Sequence, residues 1–278
     1  VIQSPRSSIL AVRSSTDFKP TGQFRLYFDN PMIPIFYSQY SGKSLMTFEA
    51  PEKAVKKSKQ SIAKICLDNN ITEPVVVDTK MTGVMELFEN LPPLGLNPRF
   101  GLNYKFVHED TEENSNNWHQ IIVFIKNTKG YKDLIKIHNS ANLEYSGRIT
   151  PAVLNKYWTE NLKLAIPFYD SYLFRNTLYD VACLPEFENI PHTFFIEENG
   201  LPFDDLVNSK IKGNKMLVKS IFYEKEKDFV TWLTYRCALN FSNKGKNRTL
   251  EDPMFDHCHS NKFSFESYLK YILKEQTK

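Results

Sequence analysis

The sequence predicts an α+β fold: a mixed amino-terminal half with a short sheet and a hairpin, a more helical carboxy-terminal half, and an extended amino-terminal arm. Three observations carry this reading. Apolar runs of strand length stand at residues 74–77 and 121–125. From residue 150 onward apolar side chains recur at helical spacing, as in Val153, Leu154, Tyr157, Trp158 and Leu162. Pro5, Pro20, Pro31 and Pro34 interrupt the first 48 residues, where a helix would tolerate few of them. The chain divides accordingly into an arm at 1–48, a mixed α/β region at 49–148 and a mainly helical region at 149–278. The last two can also be a single domain.

The arm is expected to be irregular. Its aromatics, among them Phe24, Tyr27, Phe28, Phe36, Tyr37 and Tyr40, need a surface to lie on. A helix follows over 51–68, opened by Pro51 and stopped by Asn69-Asn70. Residues 74–77 give a short buried strand. A second helix covers 84–91 and stops before Pro92-Pro93. Strands at 102–108 and 118–126 form a hairpin whose acidic, Asn-rich tip is 109–117. Thr150-Pro151 starts a helix, with a capping hydroxyl and proline at its first position. Pro167 ends that helix and opens another that runs to about residue 183. Strands are expected at 193–196 and 216–222, with a turn at Asn199-Gly200 between them. Phe229, Val230, Leu233, Cys237 and Ala238 share a face of a helix over 224–241. Ser264 caps the last helix, 265–275.

Composition bounds the class. At 41% hydrophobic and 14% aromatic the chain has ample material for a core. No apolar run approaches the roughly 20 residues that span a bilayer, so no membrane span is expected. The four cysteines (Cys66, Cys183, Cys237 and Cys258) form no Cys-x-x-Cys pair and read as reduced thiols. The net charge of +3 is unevenly spread. Residues 1–80 carry 11 basic and 7 acidic side chains, 81–200 carry 10 and 15, and 201–278 carry 14 and 10. A basic head and tail around an acidic middle suit an anionic partner touched at two places. The first sixteen residues hold Arg6, Arg13 and five serines but no acid. Such a start is expected of a clipped mitochondrial presequence and places the protein in the mitochondrial matrix.

Two basic loops are the leading candidate site. One spans 208–215 with Lys210, Lys212 and Lys215. The other spans 242–248 with Lys244, Lys246 and Arg248. Glycine lets backbone approach a phosphate, lysine and arginine supply charge, and Asn and Ser supply neutral hydrogen bonds. This is the residue set that touches RNA backbone without reading sequence. The helix between them would hold both on one scaffold if they lie at the same end of the fold. Lys56 and Lys57, on the Lys-rich helix, extend the candidate surface. Asp256-His257-Cys258-His259 offers zinc-type ligands with Cys237 upstream, but adjacent ligands diverge and no second pair stands at ligand spacing. No metal and no cofactor are expected.

Val75-Val76-Val77-Asp78-Thr79-Lys80 resembles the metal-and-lysine half of the PD-(D/E)xK nuclease core. The resemblance implies that Asp78 binds Mg²⁺ and Lys80 assists the attacking water. Of the upstream acids, Glu73 stands directly before the strand and Asp29 lies beyond the basic helix. The glycine-rich, Walker, Gly-x-Ser-x-Gly and His-Glu-x-x-His signatures are absent. The expected function is a non-catalytic, RNA-associated component of a mitochondrial ribonucleoprotein assembly, in its most concrete form a small-subunit mitochondrial ribosomal protein. Its partners are RNA phosphates and neighbouring proteins, onto which the aromatic arm docks. The alternatives are a metal-dependent PD-(D/E)xK nuclease and a transient mitochondrial translation or assembly factor.

Overall fold

The computed structural model describes residues 32–108, 118–169, 171, 187, 190–239 and 260–277. Strands form where β-branched and aromatic residues cluster. In chain order the elements begin with β1 (Ile33–Phe36), β2 (Met46–Thr47), α1 (Pro51–Lys56), β3 (Gln60–Ser61), α2 (Ile62–Asp68), β4 (Val75–Asp78), α3 (Val84–Asn90), β5 (Arg99–Phe106) and β6 (His119–Ile125). They continue with α4 (Thr128–Glu144), β7 (Arg148–Ile149), α5 (Pro151–Tyr157), β8 (Leu162–Ile166), β9 (His192–Ile196), α6 (Asp204–Lys210), β10 (Lys215–Ile221), α7 (Phe229–Leu239) and α8 (Phe265–Gln276).

Seven of these strands close a barrel. Its circuit runs β1, β4, β5, β6, β8, β9, β10 and back to β1, in chain order. Only β6 runs antiparallel to its neighbours; every other pairing in the circuit is parallel. β7 pairs with the far half of β5, and β2 with β3 in a separate small ladder. This overturns the expected short sheet with a hairpin. The hairpin exists as β5–β6, but each of its strands is paired on both sides. Closure removes the sheet edges that a short open sheet would leave exposed.

Individual elements depart from expectation for local reasons. Residues 33–36, expected in the arm, are wholly buried as β1, and Phe36 and Tyr37 join this chain's own core rather than a neighbour's. Pro34 is tolerated because pairing with β4 begins only at Ile35, leaving a single ladder beside it. The helix expected over 51–68 is two short helices. Ser58 takes a left-handed φ of 54°, and Ser61 restarts the chain as a cap that accepts the Lys64 N–H. The helix opened by Thr150 stops at Tyr157, and Leu162–Ile166 is barrel strand β8. In α7 the buried side is Trp232 and Leu233, while Val230 is 59% exposed. Of the helix expected from Pro167 to about 183, residues 167–169 and 171 are described and are not helical; the rest of it, the hairpin tip and most of the arm lie outside the described residues.

Inside the barrel, Ile33, Ile35, Val75, Phe124, Ala165, Phe195 and Val218 surround a cavity of about 20 Å³, room for about one water. A β-carbon at Gly101 would come within 2.6 Å of the Phe124 ring, so glycine is what admits that ring. Outside, Trp232 is fully buried, stacks on Phe222 (5.4 Å, 8°) and donates its indole N–H to the Lys43 carbonyl at 2.7 Å.

Candidate functional site

The amino-terminal ends of β8, β9 and β10 meet the carboxy-terminal end of antiparallel β6 at one end of the barrel. There Lys126, Trp158, Glu160, Leu162, Lys163, His192 and Asn214 contribute to the lining of a groove of about 450 Å³. Local sequence dictates its frame. Asn127 caps α4 by accepting the Gly130 N–H, and Thr150 caps α5 by accepting the Val153 N–H. The Lys126 N–H donates to the Asn161 carbonyl at 2.9 Å, and the Asn127 amide to Asn161 Oδ1 at 2.9 Å. These bonds tie the exit of β6 to the entry of β8.

The polar groups of the groove are positioned rather than loose. Lys126 Nζ donates to the Glu160 carbonyl at 2.7 Å. The half-buried Lys163 amine loses proton affinity, first through burial and then through the charge of Lys126. Asn214 donates through Nδ2 to Thr193 Oγ1 at 3.0 Å. His192 Nδ1 lies 3.1 Å from the Ile190 carbonyl, and as the N–H tautomer it donates there and leaves Nε2 toward other partners. The exposed Lys212 and Lys215 flank Asn214 in sequence. Lys215 Nζ donates to the Asn208 carbonyl at 3.0 Å. Lys210 is exposed in the last turn of α6, where the helix dipole favours a cation.

No protein-family model and no curated protein matches this chain. The groove brings two lysines, a glutamate, an aromatic face, an imidazole and a carboxamide around one concavity, with Lys210, Lys212 and Lys215 on the adjoining segment from α6 to β10.

The other residues singled out in the sequence are distributed elsewhere. Lys56 is exposed at the end of α1, and Lys57 is held by Glu49 at 2.7 Å, a carboxylate it shares with Lys59. Lys244, Lys246 and Arg248 lie outside the described residues. The helix that leads toward them, α7, ends with Leu239 beside Gly42, just past the carboxy-terminal end of β1. Residues 208–215 instead precede β10, which runs parallel to β1. The described anchors of the two basic loops thus stand at opposite ends of the barrel, not on one face. The residues 256–259 are likewise outside the described set, and Cys237 is half-buried in α7. Among the described residues, no group of three or more His, Cys, Asp or Glu side chains could hold a metal ion.

Asp78 sits at the carboxy-terminal end of β4, fully buried, accepting from the Ser38 N–H at 3.2 Å and the Ser38 hydroxyl at 2.8 Å. Glu73, at the strand's other end, is bound bidentately by Arg99 at 3.0 and 3.1 Å. Lys80 is exposed. Of the two upstream acids named for the nuclease resemblance, Glu73 is thus engaged at the far end of the strand, and Asp29 lies outside the described residues. Burial pushes Asp78 up to about 7, against the pull of its Ser38 hydrogen bonds. In the unfolded chain it titrates near 4. The folded state therefore binds the extra proton between pH 4 and pH 7, and Asp78's contribution to stability declines across that window as pH rises. Asp78→Asn is expected to remove that decline and to be more stable than the native chain at pH 8, by on the order of 2 kcal/mol. Urea midpoints at pH 5 and pH 8 check this; an unaltered pH dependence would contradict it.

A second buried polar centre lies at the carboxy-terminal end of β9. Glu197 accepts from the Ser220 N–H (3.0 Å), the Ser220 hydroxyl (2.7 Å) and Asn199 Nδ2 (3.0 Å). Asn199 also binds Tyr169, Asp204 and Lys219. This network fastens the β9–β10 connection to the barrel. Sequence reading passed over both this centre and the groove. Lys163 is hidden where β8 reads as helix, Asn199 reads as a turn residue with Gly200, and Glu197 falls between that turn and the strand at 193–196. The alternation Leu162-Lys163-Leu164 beside a strand ending at Lys126 was the available signal for the groove.

Proposed function

We propose that the protein is a non-catalytic, RNA-associated component of a ribonucleoprotein assembly, with the mitochondrial ribosomal small subunit as its most concrete setting. The observation that carries this reading is the exposed run Lys210, Lys212 and Lys215, from the end of α6 to the start of β10, beside a concave, basic end of the barrel. Lysines on a glycine-containing loop neutralise phosphates without reading bases. Lys244, Lys246 and Arg248 are assigned the same role from the sequence, on a separate segment of RNA.

Reversing two of the described charges tests the proposal. Lys212→Glu with Lys215→Glu is expected to weaken RNA binding about 10- to 100-fold at moderate salt. The same change should lower the dependence of log K on log salt, since each lost phosphate contact removes about 0.7 to 0.9 from the slope. Both residues are exposed, so folding should be unaffected. Unchanged affinity and slope in the double variant would sink the assignment. Sedimentation of the tagged protein from mitochondrial lysate, with and without RNase, tests the setting. Co-migration with a ribosomal subunit is the expected result, and migration as a free monomer would overturn it.

A further inference from the structure

We infer that the groove at the amino-terminal ends of β8, β9 and β10 is a single-strand site: an unpaired RNA base lies against Trp158, with its flanking phosphates on Lys126 and Lys163. The inference rests on the RNA reading above and deepens it.

Several independent observations converge on this groove. Its volume of about 450 Å³ suits one nucleotide and falls within the range of ligand pockets. Trp158 is half-buried, packed against the core, and so presents a fixed ring to the groove. Aromatic rings held in this way stack on any base, because every base has a π face. Lys126 and Lys163 both line the groove, the charge of Lys126 disfavours that of Lys163, and Lys163 is half-buried. A phosphate between two such ammonium groups relieves their repulsion, and the reduced solvent exposure strengthens the attraction. His192 and Asn214 add the donors and acceptors that contact a base edge or a ribose hydroxyl. Glu160 also lines the groove, and its backbone carbonyl tethers the Lys126 amine on the wall. Asn214 lies between Lys212 and Lys215, which gives the strand a basic path out of the groove and onto the α6–β10 loop. A stacked, flipped-out base cannot belong to an intact duplex, so the site discriminates single strands from double strands.

The test is fluorescence anisotropy of a labelled oligouridine of about ten nucleotides, with an RNA duplex of similar length as competitor, on the full 278-residue chain. The single strand is expected to bind more tightly than the duplex. Trp158→Leu should weaken single-strand binding about tenfold and leave the salt slope intact, and Trp158→Tyr should restore it. Lys163→Gln should lower the slope by about 0.7. Lys163→Gln is also the variant to read if Trp158→Leu does not fold, as judged by its thermal midpoint. Native chain that binds the single strand while Trp158→Leu and Lys163→Gln both behave like it would overturn the groove. The RNA reading would then survive if Lys212→Glu with Lys215→Glu still lost binding. Equal competition by the duplex would also overturn the groove. No binding by the native chain to either RNA would overturn both readings.

Discussion

Gly130→Ala is expected to destabilise the protein by about 2–4 kcal/mol, against the usual direction for that change in a helix. Inside an ordinary helix alanine outperforms glycine by roughly 0.5–1 kcal/mol. Here the added β-carbon would stand 2.3 Å from the Asn161 carbonyl oxygen. That oxygen is backbone and cannot swing aside. It accepts the Lys126 N–H, while the Asn161 side chain is held by Asn127 and Thr159. The clash must move α4 away from β8 or break the β6–β8 junction. Urea unfolding at constant slope checks this. A midpoint equal to or above that of the native chain would show that the approach of α4 to β8 is not obligatory. Because the same junction frames the groove, a folded Gly130→Ala should also bind oligouridine more weakly.

Trp232→Ala is expected to cost about 3–5 kcal/mol, the range for removing a fully buried large aromatic side chain. The indole contributes three things that alanine cannot. It fills space among Phe222, Tyr223 and Phe263, with ring centroids 5.4, 5.2 and 6.3 Å away. It carries a hydrogen bond to the Lys43 carbonyl. It also joins α7 to the loop that follows β1. Trp232→Phe separates these contributions. It keeps most of the packing but drops the hydrogen bond, and should cost about 1–2 kcal/mol. If both variants lose the same stability, the hydrogen bond rather than the packing holds this corner. If neither loses any, α7 is peripheral to the fold.

What could be read in the sequence was what short stretches determine alone. The Thr150 cap with Pro151, the Ser264 cap, the β5–β6 hairpin and the strands at β4, β9 and β10 all declare themselves through adjacent residues. They stand within a residue or a few of where the pattern put them. The elements that were misread depend on distant partners. Ile-Pro-Ile-Phe is a strand only because β4 and β10 pair with it from both sides, and proline argued against it locally. Leu162–Ile166 continues the apolar spacing of α5, and only pairing with β6 and β9 makes it extended. Barrel closure has no local signature, so a sheet was expected where a closed wall stands. The candidate site shows the same division. Lys210, Lys212 and Lys215 were visible as a cluster because they are neighbours in the chain. Lys126, the pair Trp158 and Lys163, His192 and Asn214 come from four separate stretches, and only the barrel brings those stretches together.

The order of the strands sets a timetable for synthesis. Each barrel strand can pair with the one before it as it emerges, but the seam between β1 and β10 needs Ile33 to find Val218. At ~5–20 residues per second, that wait is on the order of 10–40 seconds on a translating ribosome. Throughout it the edge of β1 that β10 will cover is open to any stray strand. Pro34 lies opposite Lys219 in that seam, but its nitrogen faces β4, since the Tyr37 N–H, three residues on, donates to the Ile221 carbonyl of β10. That waiting edge is thus a complete ladder template, and what limits its reach for a stray partner is its length of four residues.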